Sequence, residues 1–230
     1  MHAPRMSPEQ AERIRRWHDN AYAASKARQQ QVFDYLGRTI EVPPQVQPIV
    51  GMSHLLGEAV LAEVRPEDRV LDMGTGSGVN AVLAASQSRD VLAVDVNPVA
   101  VETARRNAER NGVGDRIEVR RSDVFSAVDG RFDLIVFDPP FRWFAPRDAV
   151  EAATTDADYR AMTEFFREAD EHLTDRGRML IFFGTSGDLA YLRELAAGFG
   201  SEVVAEQSLA KDGWQVDYFT FRLTPSTRSR

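Results

Sequence analysis

Over the first part of the chain, apolar residues recur at helix-like intervals. Ile14, Trp17, Ala21, Val32 and Leu36 fall roughly on one face, which predicts a helix from about Pro8 to Leu36. Ser7 before Pro8, with Gln10 three residues on, suits its start: a hydroxyl accepts a free backbone N–H and a ring presets φ. Val42-Pro43-Pro44 and Gln47-Pro48 then interrupt regular structure. A second helix is predicted from Met52 to Val64, with Gly51 and Ser53 near its start. From Arg69 onward, short apolar runs alternate with amphipathic ones. The runs predict strands at Val70-Met73, Val91-Val94, Ile117-Arg120, Leu134-Phe137, Met179-Phe183, Glu202-Gln207 and Val216-Phe221. Helices are predicted between them, at Val79-Ser88, Pro98-Arg110, Asp158-Leu173 and Leu189-Phe199.

This alternation implies an α/β fold, a Rossmann-like, seven-stranded, mostly parallel sheet with helices on both faces. The last two strands have no helix between them, so a hairpin adds an antiparallel strand. The expected organisation is an N-terminal helical appendage and linker at 1–50, a main domain at 51–224 and a tail at 225–230.

Composition narrows the function. A chain of 230 residues fits one large domain or one domain with a small appendage. No apolar run approaches the ~18 residues of a membrane span, and Met1-His2-Ala3-Pro4-Arg5-Met6 lacks a secretory core. Cysteine is absent, which excludes disulfides, thiolate–zinc sites and a thiol nucleophile. His2, His18, His54 and His172 have no metal-ligand spacing, so no metal is expected. A cytoplasmic location is the expectation. The net charge of −7 disfavours general affinity for nucleic acid. Arg13, Arg15 and Arg16, and Arg228 and Arg230 in the tail, read as solvated charges.

The chemistry gathers at predicted strand exits. Asp72-Met73-Gly74-Thr75-Gly76-Ser77-Gly78 joins the first core strand to its helix, where glycines let the backbone approach a ligand and the helix presents free N–H groups. Asp95 follows the second strand, with Val96 and Asn97 beside it, and suits two ribose hydroxyls. Asp123 follows the third, placed for an adenine amino group with Val124 or Phe125 beside the ring. Asn80 lies in the first helical turn. The dinucleotide fingerprint is Gly-x-Gly-x-x-Gly. Here the third glycine comes one residue early, and Asp72 stands two positions before the first. An acidic residue there disfavours a pyrophosphate and favours an ammonium group, so the expected cofactor combines adenosine with a cationic amine.

Asp138-Pro139-Pro140-Phe141 leaves the fourth strand. A carboxylate, two prolines and a ring form a rigid surface for a planar nitrogen: Asp138 and the Pro139 carbonyl accept its N–H groups, and Phe141 covers its face.

Together these motifs resemble the class I S-adenosyl-L-methionine (SAM)-dependent methyltransferases, over about Gly51 to Phe221. The (Asp/Asn)-Pro-Pro-(Tyr/Phe) element resembles the amino-group N-methyltransferases, and Val70 to Asn111 resembles the HemK/PrmC-like group, which methylates a glutamine amide in release factors. That group carries Asn-Pro-Pro-Tyr and a longer N-terminal helical domain, whereas this chain has Asp138 and Phe141. The resemblance implies SAM as cofactor, with S-adenosyl-L-homocysteine (SAH) as product. Asp72, Gly74, Thr75, Gly76, Gly78, Asn80, Asp95, Val96, Asn97, Asp123, Val124 and Asp138 would bind the cofactor, with Asp138, Pro139, Pro140 and Phe141 catalytic. The expected acceptor is a planar amino or amide nitrogen of a small molecule or protein side chain. An RNA base and a non-catalytic SAM-binding role are the alternatives. Arg142, Trp143, Phe144 and Arg147 are expected to wall the mouth, in a run to Asp156 that reads as a mobile lid, with Trp17, His18 and Tyr22 closing from above.

Overall fold

The computed structural model describes residues 2–211 and 213–226. Most of the predicted tail, with Arg228 and Arg230, lies outside the described residues. The first helix, α1 (Pro8–Ser25), starts as expected, Ser7 Oγ accepting from the Gln10 N–H at 3.1 Å. It does not reach Leu36. A hairpin, β1 (Gln31–Tyr35) and β2 (Arg38–Val42), takes the residues read as the helix's second half. Its two-residue turn is Leu36-Gly37, both at positive φ (47° and 75°), the handedness that matches the twist of paired strands.

The core is a seven-stranded sheet. In chain order its strands are β3 (Arg69–Met73), β4 (Asp90–Asp95), β5 (Ile117–Arg121), β6 (Phe132–Phe137), β7 (Leu173–Gly184), β8 (Phe199–Lys211) and β9 (Trp214–Pro225). Across the sheet they run β5-β4-β3-β6-β7-β9-β8. Pairing is parallel from β5 to β7 and antiparallel at β9 and β8, the expected hairpin. Central strands are covered on both faces; every residue of β6 is buried. That is why Leu134 to Phe137 reads as an unbroken apolar run.

The helices are α2 (His54–Glu63), α3 (Val79–Ala84), α4 (Pro98–Arg110), α5 (Arg160–Glu168) and α6 (Leu189–Leu195). The predicted helix from Asp158 to Leu173 divides: α5 is flanked by 3-10 turns at Ala157–Tyr159 and Ala169–His172, and Leu173 already belongs to β7. Among the described residues, no helix is long and apolar enough to cross a membrane.

Two asparagines dock the hairpin. Asn107 on α4 and Asn111, the residue that caps its C-terminus, lie four residues apart and act as a substitute strand edge. Asn107 accepts from the Glu41 N–H (2.9 Å) and donates to the Glu41 carbonyl (2.8 Å). Asn111 does the same to Thr39, at 3.2 and 3.0 Å. Asn107 is fully buried and also donates to the Ser77 carbonyl at 2.8 Å, so one amide joins hairpin, helix and glycine loop.

Candidate active site

The carboxyl ends of β3, β4, β5 and β6 open into a cleft of about 810 Å³. This is the edge where open parallel sheets bind ligands. At its floor the glycine loop turns through three left-handed residues, Gly74, Gly76 and Gly78, at φ of 66°, 54° and 81°. A Cβ on Gly78 would sit 2.8 Å from the Ala104 Cα, so that glycine is required by packing on α4 and does not face the cleft. Thr75 N–H donates to the Val94 carbonyl at 2.9 Å, fixing the loop to the end of β4.

Asp72 is not in the cleft. It is 2% exposed and lies behind the loop, accepting from Thr75 Oγ1 at 2.5 Å and from the Ala81 N–H at 3.0 Å. Its carboxylate braces the loop from within. Burial pushes its carboxyl up to about 7, against the pull of those two hydrogen bonds. Asp95 does line the cleft. One carboxylate oxygen accepts from the Gly76 N–H (2.9 Å) and the other from the Asn97 N–H (2.8 Å). Each oxygen keeps a further lone pair for a ligand hydroxyl. Asn97 caps α4 by accepting from the Val99 N–H at 2.9 Å. Asn80, Val96 and Asn97 line the cleft with it. On the rim, Asp123 accepts from Arg160 at 2.8 Å. Val124, at φ 48°, is a β-branched residue in the left-handed region, strain of the kind that gathers at binding sites.

Asp138, Pro139, Pro140 and Phe141 line the cleft beside the glycine loop. The Asp138 side chain is open to the cleft and makes no hydrogen bond or ion pair among the described residues. It faces cleft solvent rather than bulk solvent. The surrounding protein, with Asp72 behind it, pushes its carboxyl up to about 7. Phe141 is held by rings of Phe183 (4.7 Å between centroids) and Phe182 (5.6 Å), and its carbonyl accepts from the Tyr159 hydroxyl at 2.6 Å.

Trp17 and Tyr22 of α1 line the cleft, with Arg142, Phe182, Ser186 and Tyr218. Trp143 and Phe144 do not. Both are buried outside the lining, in T-shaped contact with each other at 4.8 Å, and Phe144 carries the Arg15 guanidinium at 4.1 Å. They pack on each other and, through Phe144, on His18 of α1.

The lid itself is well braced. Arg142 N–H donates to the Thr154 carbonyl (3.2 Å), and Asp156 N–H to the Arg142 carbonyl (2.7 Å). Glu151, 3% exposed, is the latch to α1: it takes His18 Nε2 at 2.7 Å and Arg147 Nε at 2.9 Å. Burial pushes its carboxyl up, but the hydrogen bonds from Arg147 and His18 outweigh it and bring it to about 2. Sequence reasoning missed Glu151 and Asn107, whose partners are far away in the chain. Tyr218 carried a signal: Val216, Tyr218 and Thr220 alternate inward along β9, as strand periodicity requires.

Comparison with known proteins fits this geometry. The model of the methyltransferase small domain family matches residues 52–209. A ribosomal protein L11 methyltransferase of Thermosipho africanus is 53% identical over 74 residues, 32% of this chain and 28% of that protein. A release factor glutamine methyltransferase of Cereibacter sphaeroides is 35% identical over 164 residues, 64% of this chain and 55% of that protein. The chain thus spans between about a quarter and about half the length of these two relatives. Among solved structures, the tRNA m1G37 methyltransferase of M. jannaschii superposes with a TM-score of 0.62 at 17% identity, over 87% of this chain and 56% of that one, a likeness of fold. With a glycine loop, acidic strand ends and a Pro-Pro exit on a class I sheet, the chain belongs to the methyltransferase small domain family.

Proposed function

We propose that this protein transfers a methyl group from SAM to a planar amino or amide nitrogen of a small molecule or protein side chain. The observation that carries the reading is the Asp138 carboxyl, unpartnered at the cleft floor between the glycine loop and Phe141.

The residues present fit SAM. Asp95 keeps lone pairs for a ribose, Asp123 and Val124 lie one strand along for adenine, and the space above Gly74 and Gly76 is open: a Cβ there would meet nothing closer than 3.7 Å. The carboxyls of Asp72, Asp95 and Asp138 are all held above their ordinary range, mainly by burial. Such a field favours a cationic ligand and opposes a pyrophosphate. When bound, SAM supplies an electrophilic methyl group on a sulfonium.

The protein's part is alignment and charge. Asp138 and the Pro139 carbonyl accept the two N–H groups of the acceptor, which turns the nitrogen lone pair toward the methyl group. The Asp138 carboxylate then meets the positive charge that develops on nitrogen, and it does so in a site that requires little reorganisation. Phe141, fixed by Phe182 and Phe183, covers the flat face of the acceptor. Proline at both 139 and 140 limits the backbone freedom lost on binding.

The test is incubation with SAM and separate metabolite, protein and RNA pools, followed by mass spectrometry. Methyl-sized mass gains are expected in the metabolite or protein pool. Gains confined to RNA would overturn the acceptor assignment, and gains in none would overturn methyl transfer.

A further inference from the structure

We propose that Arg142 binds an anionic group on the methyl acceptor, which makes the acceptor a small planar amine carrying a carboxylate. The inference rests on the methyl-transfer reading of the same cleft.

Arg142 follows Phe141 directly and lines the cleft, together with the hydroxyl-bearing Ser186 and Tyr218. Its backbone is fixed on both sides by the bonds to Thr154 and Asp156. Its guanidinium carbon stands 5.1 Å from the Trp17 ring centroid and 5.7 Å from that of Phe141. Yet Nε is buried without a hydrogen-bond partner, and no described carboxylate pairs with the side chain. Of the other arginines lining the cleft or its rim, Arg28 reaches Gln47 Oε1 at 3.5 Å, and two are paired with acids. Arg147 binds Glu151 and Asp19, and Arg160 binds Asp123 and Glu164.

This is not a shortage of acids, since 35 Asp and Glu face 28 Lys and Arg in the chain. A guanidinium held partly out of water without a counter-ion is costly, and ring contacts recover only part of that cost. Its planar donors match a carboxylate. Placed one residue beyond the ring that covers the acceptor, the guanidinium would grip an oxyanion on the same planar molecule whose nitrogen meets Asp138. A phosphate has the same donor requirement, so the experiment includes one.

The test uses the full chain saturated with SAH and reads Trp fluorescence, Trp17 being the local reporter. The probes are 2-aminobenzoate, its neutral amide and aminophenyl phosphate. The carboxylate is expected to bind at least about tenfold tighter than the amide, as a charge-assisted contact implies. In Arg142→Gln that preference should fall to within about threefold, while SAH affinity measured by calorimetry is unchanged. Arg142→Lys should keep part of the preference, and it serves as the working variant if Arg142→Gln does not fold. Equal binding of carboxylate and amide, no saturable binding of any probe, or a preference that survives in Arg142→Gln would each overturn the assignment. A stronger response to the phosphate would replace carboxylate by phosphate as the ligand. Loss of SAH binding in the wild-type protein would instead overturn the methyl-transfer reading, and the probes in cofactor-free protein would then judge Arg142 alone.

Discussion

In the proposed reaction Asp138 carries two requirements in conflict: it must be ionised to offset a growing positive charge, yet its surroundings favour the neutral form. Surrounding protein and Asp72 raise its carboxyl from 3.8 to about 7. The active form is the deprotonated one, so kcat/KM is expected to rise with pH through a limb near 7, well above an ordinary carboxylate. The limb in kcat should lie lower, because a bound sulfonium favours ionisation. Asp138→Ala should lower turnover about a hundredfold or more with SAM affinity near normal, as loss of a transition-state contact does. Asp138→Asn keeps a carbonyl acceptor, so it should retain more activity and lose the acid limb. An unchanged pH profile in Asp138→Asn would show that another group sets it. At this scale the sequence was legible wherever a side chain follows a strand: Asp95, Asp123 and Asp138 all reach the cleft. The brace made by Asp72 was not legible, because it depends on which way a strand-end residue points. In β3 it points inward, to Thr75 and Ala81.

Between elements, two side chains connect parts that the chain order keeps apart. Asn107 joins β2, α4 and the glycine loop. Its replacement by Ala leaves the backbone of Glu41 and the Ser77 carbonyl without partners. A loss of about 1–3 kcal/mol in stability is expected from denaturant unfolding, with weaker SAM binding because the loop loses a brace. Stability loss with unaltered SAM affinity would confine Asn107 to the hairpin. Glu151 latches the lid to α1 through His18 and Arg147. Its folded carboxyl lies near 2 against an ordinary 4.5, so the latch is at full strength above about 4.5 and is lost as pH falls toward 2. Hydrogen exchange in 141–156 should therefore accelerate over that window ahead of the central strands. Uniform exchange across the chain would contradict the latch. Neither link was legible, since a buried Asn or Glu in one sequence carries no mark of its distant partner. The hairpin escaped for a related reason: its strands are only half-buried, and Val32 and Leu36 fit a helical spacing by coincidence.

At the scale of the molecule, the parallel half of the sheet was legible because strands covered on both faces read as apolar runs. The lengths of β7, β8 and β9 were not, because their outer residues are exposed and polar. Arg178 of β7 holds several layers together. It donates to Asp68 before β3 (2.8 Å), to Glu63 of α2 (3.2 Å) and to the Asp133 carbonyl of β6 (2.8 Å). Arg178 is 5% exposed and Asp68 2%. Arg178→Ala should cost about 3–5 kcal/mol in unfolding free energy, because it leaves the buried Asp68 with only the Arg65 N–H and the more distant Arg176, at 4.0 Å. The proposed fit of the glycine loop and acidic strand ends to adenosine joined to a cation is a property of the cleft as a whole. Calorimetric titration with SAM, beside NAD, tests this most directly. Saturable one-to-one binding of SAM is expected, with no comparable binding of NAD and a loss of about tenfold or more in Asp95→Ala. A flat response to SAM, or tighter binding of NAD, would contradict it.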